Sequence, residues 1–483
     1  MIRMSSLGDV VLTLPVFKRL RAAHPDAHIV ALVKDAYADV LRAENSIDAV
    51  LTMGRGESIL SLGRRIRKEK FDTILDLHAN LRSRALCWYS GAERIVRYRK
   101  AALARRLFVR WRLGSLELKR HTLDRYLEAL GRLDIQRRVL LTETPSKILL
   151  IQTAYLGDAV LTTPLAGALH QQFPGAKLSV LCTPEIADVF DRHPAVSEVI
   201  LFDKRGKERS LADRWKLVRR LKAAQYDLAV IPHRSLTSAL LAWLAGIPRR
   251  VGFSASQGRW LMTDIVPFQW GIHDVERNLA LMNVFGVQNP GGELWLKPEP
   301  AAAECVAARL SAAGVRPGDK VVGIHAGSVW ATKRWLPEGF AAVADRIIHD
   351  LKARVIFVGG AKDAAAVKEV LSLMKEAPLN WVGETTLKEL IAAVARCQAF
   401  LTNDSGPLHI AVASLVPTVA IFGPTTRELG FFPYGSGHTV IERDLACRPC
   451  GLHGADRCPL GHFKCMKEIE PEEVFEAVRN KLA

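Results

Sequence analysis

The sequence predicts an α/β fold of Rossmann-like parallel-sheet domains, three in number. Short apolar runs alternate with Ala- and Leu-rich amphipathic stretches, the pattern of strands joined by crossover helices. The first 290 or so residues repeat themselves, and a Pro/Gly-rich link separates them from a third stretch of the same alternation. No apolar run reaches the roughly 18 residues of a membrane span, so the chain reads as soluble.

The repeat sets the domain boundaries. The segment from Met4, MSSLGDVVLTLPVFKRL, matches TAYLGDAVLTTPLAGAL from Thr153 at an offset of 149, with Leu7-Gly8-Asp9 on Leu156-Gly157-Asp158 and Pro15 on Pro164. At an offset of 155, His78 falls on His233, Trp88 on Trp243 and Arg94 on Arg249, and later His121 and Arg125 align with His273 and Arg277. Residues 1–142 and 146–297 therefore read as two copies of one domain. The third domain spans 301–483.

Element by element, the second copy predicts strands over 147–153, 177–182 and 227–232, with helices from about Gly157 to Gln172 and over 235–245. The link holds Pro290-Gly291-Gly292 and Pro298-Glu299-Pro300. Beyond it, strands are expected over 320–326, 353–360, 399–404 and 417–423, with helices after Pro337, from Asp363 and after Ser405.

Lys and Arg number 67 against 50 Asp and Glu, a net +17, which calls for an anionic partner. Residues 1–145 supply +12 of it, from 28 basic and 16 acidic residues, and the stretch 94–120 sets Phe108 and Trp111 among its cations. Cys87, Cys182, Cys305 and Cys397 are scattered through apolar contexts, as in a reduced cytosolic protein. The amino-terminal residues lack a basic region with a cleavage site after it, which also favours the cytoplasm. Cys447, Cys450, Cys458 and Cys465 instead fall within nineteen residues. That is the ligand count of a structural zinc site, with His453 and His462 as substitutes; reduced structural thiols are the competing reading.

Ligands of open parallel sheets bind beyond the carboxyl ends of the strands. Four loops stand out there. Ala154-Tyr155-Leu156-Gly157-Asp158 places a carboxylate in a first helical turn, where it is either a helix-end charge or a general base. The stretch from Ala326 to Trp335 offers Ser328 and Thr332 ahead of Lys333 and Arg334, a phosphate-binding composition that also suits a solvated basic loop. Thr402-Asn403-Asp404-Ser405-Gly406-Pro407-Leu408-His409 enters a helix whose free N–H groups suit a pyrophosphate, with Asp404 for sugar hydroxyls and His409 one turn in. Taken singly, Asp404 is a fair N-cap and His409 an ordinary core histidine. Gly359-Gly360-Ala361-Lys362-Asp363 is a weaker Gly-rich turn.

Together, LGDxxLTTP, GSxWxTKRWxP and NDSGPLH followed by IFGPT resemble glycosyltransferase family 9, the lipopolysaccharide heptosyltransferases, over residues 146–483. The resemblance implies a GT-B architecture, with the acceptor in one Rossmann-like domain and an ADP-heptose-type nucleotide sugar in the next. It implies an inverting transferase with no cofactor for catalysis, and no Asp-x-Asp pair is present to hold a metal. Asp158 falls at the family's catalytic base. Ser328, Thr332, Lys333, Asp363, Asp404, Ser405, Gly406 and His409 fall on its donor side, and Pro407 departs from the pattern while remaining welcome in a first turn. The amino-terminal copy is an addition, expected to be non-catalytic and, being basic, to meet an anionic membrane at the inner face of the inner membrane. A nucleotide-sugar epimerase of the same fold, or a basic anion- or nucleic-acid-binding protein, are the rival readings; no nucleic-acid module is visible, so nucleic acid is not an expected partner.

Overall fold

The computed structural model describes residues 1–54, 56–98, 126, 129, 144–204, 206, 208, 210–288 and 290–483. The basic residues Arg105, Arg106, Arg110 and Arg112, with His121 and Arg125 of the repeat, lie outside the described residues. The chain forms two compact units, Met1–Glu143 and Thr144–Ala483.

In the first unit β1 (Val30–Lys34) pairs in parallel with β2 (Ala49–Met53), and β3 (Thr73–Asp76) with β4 (Arg94–Arg97). Ile2 bridges Leu32 of β1 and Asp76 of β3. The spatial order is therefore β2, β1, the segment at Ile2, β3, β4.

The second unit holds two six-stranded parallel sheets. The first comprises β5 (Lys147–Ile151), β6 (Lys177–Cys182), β7 (Glu198–Leu201), β8 (Leu228–Ile231), β9 (Arg249–Phe253) and β10 (Asp264–Val266), in the order β10-β9-β8-β5-β6-β7. The second comprises β11 (Val321–His325), β12 (Arg354–Phe357), β13 (Leu379–Asn380), β14 (Ala399–Asn403), β15 (Thr418–Phe422) and β16 (Thr439–Glu442), in the order β13-β12-β11-β14-β15-β16. Both follow the 3-2-1-4-5-6 order of a doubly wound Rossmann sheet, and the first unit shows its 3-2-1-4-5 part. Central strands such as LAVI, VVGIH and TVAIF are buried along their whole length, as strands covered by helices on both faces must be. The expected helices and central strands lie within two residues of their predicted ends, except the strand expected over 353–360, which ends three residues early at Phe357. Edge strands such as β7, β13 and β16 carry partly exposed, mixed residues and gave no clear apolar run.

The boundary expected at 297–301 lies inside the second unit, where the two sheet-bearing halves are bonded to each other. Asp274 N–H donates to the Gly430 carbonyl at 2.8 Å, His273 Nε2 meets the Phe432 carbonyl at 2.8 Å, and Tyr434 hydroxyl donates to Glu276 at 2.5 Å.

The LTTP motif has a local explanation. Helix Leu156–Gln172 runs through Pro164, which has no N–H for the Val160 carbonyl four residues back. Thr163 hydroxyl donates to that carbonyl instead, at 2.8 Å, and accepts the Trp295 N–H at 3.1 Å. The first unit has Leu14 at the matching place before Pro15. There the helix breaks into Leu7–Val11 and Leu14–Ala23.

Candidate active site

The strand orders place a switch point between β5 and β8 in one sheet and between β11 and β14 in the other. Loops leaving these four strands line one cleft of about 950 Å³ between the halves. The helices entering it meet closely: a Cβ on Gly157 would lie 2.7 Å from His409 Cδ2, and one on Gly406 would lie 3.3 Å from Leu156. Bulk at residue 157 would push the halves apart.

On the first half, Asp158 sits in the opening turn of its helix and accepts the Tyr155 N–H at 3.3 Å. Burial, then the charge of Asp274, pushes its pKa up to about 7 against the Tyr155 N–H and Arg234. Asp274 itself accepts Arg277 Nη1 at 2.5 Å. After β8 come His233 and Arg234. Burial, then Lys204 and Arg234, lowers the His233 pKa to about 4, leaving it neutral at pH 7.

On the second half, Lys333 Nζ donates to Asp404 Oδ2 at 2.5 Å, and Thr425 hydroxyl donates to the same oxygen at 2.6 Å. Asp404 therefore aims the lysine through one of its two carboxylate oxygens. Arg334 is spent on the Ser328 carbonyl, at 2.9 and 2.7 Å, and so fixes the loop. Asn403 joins the loops that follow β11 and β14 by accepting the Trp335 N–H at 3.0 Å and donating to the Ala326 carbonyl at 2.9 Å. His325 spans Ser405 hydroxyl at 3.0 Å and Asp363 at 3.4 Å, and Asp363 also accepts the Gly360 N–H at 2.9 Å. Burial pushes the Asp363 pKa up, but the His325 and Gly360 contacts with Arg334 outweigh it and hold the carboxyl below its usual range. Gly406 opens the helix Gly406–Ala413. His409, buried, has its Nδ1 without a hydrogen-bond partner among the described residues, and burial lowers its pKa to about 4.

Asp158, Ser328, Lys333, Asp363, Asp404, Ser405, Gly406 and His409 thus line one cleft. Thr332 does not. Its hydroxyl donates to the Ala455 carbonyl at 2.9 Å and accepts the Ala455 N–H at 2.8 Å, so it pins the carboxy-terminal loop to the donor loop. Cys450, Cys458 and Cys465 line a second cavity of about 420 Å³. Among the described residues no group of three or more His, Cys, Asp or Glu is set to hold a metal ion, although Cys465 feels the charge of Cys447, Cys450 and Cys458, the other expected zinc ligands. The nearest approach between one of them and a candidate histidine is Cys447 Sγ to His462 Nε2, 3.9 Å.

Sequence reasoning passed over Arg234, Phe268, Trp270, Asp274, Thr385 and Thr386, all of which line the cleft. The repeat carried a signal for two neighbours: His233 and Arg277 each match a residue of the first copy.

A model of glycosyltransferase family 9 (heptosyltransferase) matches residues 214–456, just over half of the chain. Lipopolysaccharide heptosyltransferase 2 of Escherichia coli (strain K12) is 30% identical over 347 residues, 68% of this chain and 97% of the relative. Among solved structures, the glycosyl transferase family 9 protein from Veillonella parvula DSM 2008 superposes with a TM-score of 0.64 at 26% identity, covering 70% of this chain and 97% of that one. The E. coli ADP-heptose lps heptosyltransferase II does so with a TM-score of 0.59 at 26% identity, covering 70% and 98%.

Proposed function

Because the chain belongs to glycosyltransferase family 9, the heptosyltransferase family, we propose that the cleft of its second unit transfers a heptose from ADP-heptose to the lipopolysaccharide inner core, with inversion and without a metal. The observation that carries the proposal is the opposition of Asp158, a carboxyl with its pKa raised to about 7, to a wall bearing Lys333, His409 and the amino end of Gly406–Ala413.

In this reading the donor diphosphate lies against Lys333 and the N–H groups that open Gly406–Ala413, and the sugar points at Asp158. An acceptor hydroxyl attacks the anomeric carbon, its proton passes to the Asp158 carboxylate, and the bond from that carbon to the diphosphate oxygen breaks on the opposite face. The configuration inverts. ADP leaves carrying the bonding pair, and Lys333, held by Asp404, stabilises the charge that grows there. His409 is neutral at pH 7, so it serves as a hydrogen-bonding group, not a cation.

The first unit we read as an extra, non-catalytic copy of the acceptor-side domain, making three Rossmann-like domains of GT-B type in all. The repeat and the shared strand order support this. Its basic surplus suits contact with anionic lipid and supports a reading in which the reaction takes place at the cytoplasmic face of the inner membrane. Among the described residues no helix is long and apolar enough to cross a membrane. The purified protein, incubated with a panel of ADP- and UDP-sugars and a truncated lipopolysaccharide acceptor, should glycosylate the acceptor from ADP-heptose with inverted anomeric configuration. A free epimer formed without acceptor would overturn the proposal.

A further inference from the structure

Arg234 is the cleft cation that the reaction above leaves without a task. It follows β8 at the sheet's switch point, half-buried, on the half that carries Asp158. Its guanidinium carbon lies 4.8 Å from the centroid of Phe268 and 5.7 Å from that of Trp270, and Phe268 packs edge-on to Trp270 at 5.0 Å. Among the described residues its side chain makes no hydrogen bond or ion pair, although Asp158 is near enough to feel its charge. His453, on the opposite half, lines the same cleft and feels the charge too.

A half-desolvated arginine, set within cation–π distance of two aromatic rings and with its N–H groups unused among the described residues, is a pre-organised receptor for an oxyanion. The donor diphosphate already has Lys333 and a helix amino end on the far wall. The first copy makes the contrast internally: it retains Asp9 and His78 but has Ala79 where the working copy has Arg234.

Resting on the heptosyl-transfer reading, we propose that Arg234, on its Phe268–Trp270 platform, binds an anionic substituent of the acceptor, a phosphate or a sugar carboxylate, and thereby selects acidic acceptors and orients their hydroxyl towards Asp158. Pairing with that anion would also cancel the pull of Arg234 on Asp158 and leave the carboxylate more basic once the acceptor has arrived.

The test compares wild type, Arg234→Gln and Arg234→Lys on a truncated lipopolysaccharide acceptor, on the same acceptor after phosphatase treatment, and on one with its carboxylates reduced to alcohols. Arg234→Gln should raise the acceptor KM by roughly 10–100-fold, with calorimetric ADP affinity within about twofold, and Arg234→Lys should recover part of the loss. The gap between wild type and Arg234→Gln should close on the phosphatase-treated acceptor if phosphate is the anion, and on the reduced acceptor if a carboxylate is. An unchanged acceptor KM in folded Arg234→Gln, or ADP affinity falling in step with it, would overturn the assignment. Direct acceptor binding keeps the two readings apart: absence of transfer by wild type removes the heptosyl-transfer reading, whereas equal acceptor affinity in wild type and Arg234→Gln removes this one.

Discussion

At the residue scale, Asp9 and Asp158 occupy matching places in the two copies but have opposite electrostatics, and one neighbour accounts for it. Asp9 is ion-paired with Arg3, and although burial opposes it, that pair with the Ser6 contacts holds its pKa below the usual range. The residue matching Arg3 in the working copy is Gln152, whose amide donates to Thr162 hydroxyl at 2.7 Å and leaves Asp158 unpaired. A base with a pKa near 7 makes the pH profile diagnostic: kcat/KM should climb through an acid limb at about pH 7, where an unperturbed carboxylate would give one near 4. The same shift has a cost. A raised folded-state pKa means that the native state disfavours the charged carboxylate, so the penalty is absent at low pH, grows above the unfolded pKa and is complete above about 7. Asp158→Asn should therefore melt higher than wild type at pH 8 and close to it at pH 4.5, in scanning calorimetry. On the donor wall, Lys333→Ala should weaken ADP binding by roughly tenfold or more as well as slow turnover. Calorimetry with ADP alone reads this, and unchanged affinity would remove the lysine from the diphosphate site.

At the scale of elements, the chemistry-bearing loops were legible because Gly, Pro and hydroxyl residues cluster where strands pass into helices. Their division of labour was not. Thr332 shares a loop with Lys333, and only the bonds to Ala455, far along the chain, reveal that it anchors a loop. The tie of Asp404 to Lys333 crosses 71 residues and has no local signal. The cysteine spacing supplied a ligand count, and the four thiols do influence one another, yet among the described residues no group of three or more His, Cys, Asp or Glu is set to hold an ion. Untagged protein should accordingly carry less than about a tenth of an equivalent of zinc; a stoichiometric ion would show that the four thiols do close on one centre. The Thr163 hydroxyl that completes the Pro164 turn gives an element-level test. Thr163→Val keeps the shape but strands the Val160 carbonyl and the Trp295 N–H, and should cost about 1–3 kcal/mol in denaturant melts.

At the scale of the whole molecule, the internal repeat carried the most information. Two copies could be recognised because a repeated strand, turn and helix must repeat its apolar and glycine positions. The shared Leu-Gly-Asp does not separate the two stretches, since both keep it. They differ at Arg3 against Gln152, Leu14 against Thr163 and Ala79 against Arg234, single substitutions whose weight depends on what stands beside them in space. The fusion of the two halves of 144–483 into one compact unit was likewise invisible in the sequence, because bonds such as Asp274 to Gly430 join short segments with no periodicity of their own.

The most direct test of the central claim, that the second unit alone transfers the sugar with Asp158 as base, is the transfer rate of Asp158→Asn measured beside Asp9→Asn. Asp158→Asn should lose roughly 10²–10⁴ in turnover while binding ADP nearly as wild type does. Asp9→Asn should stay within about twofold. Full loss in Asp9→Asn with Asp158→Asn still active would contradict the claim and move the catalytic centre to the first copy.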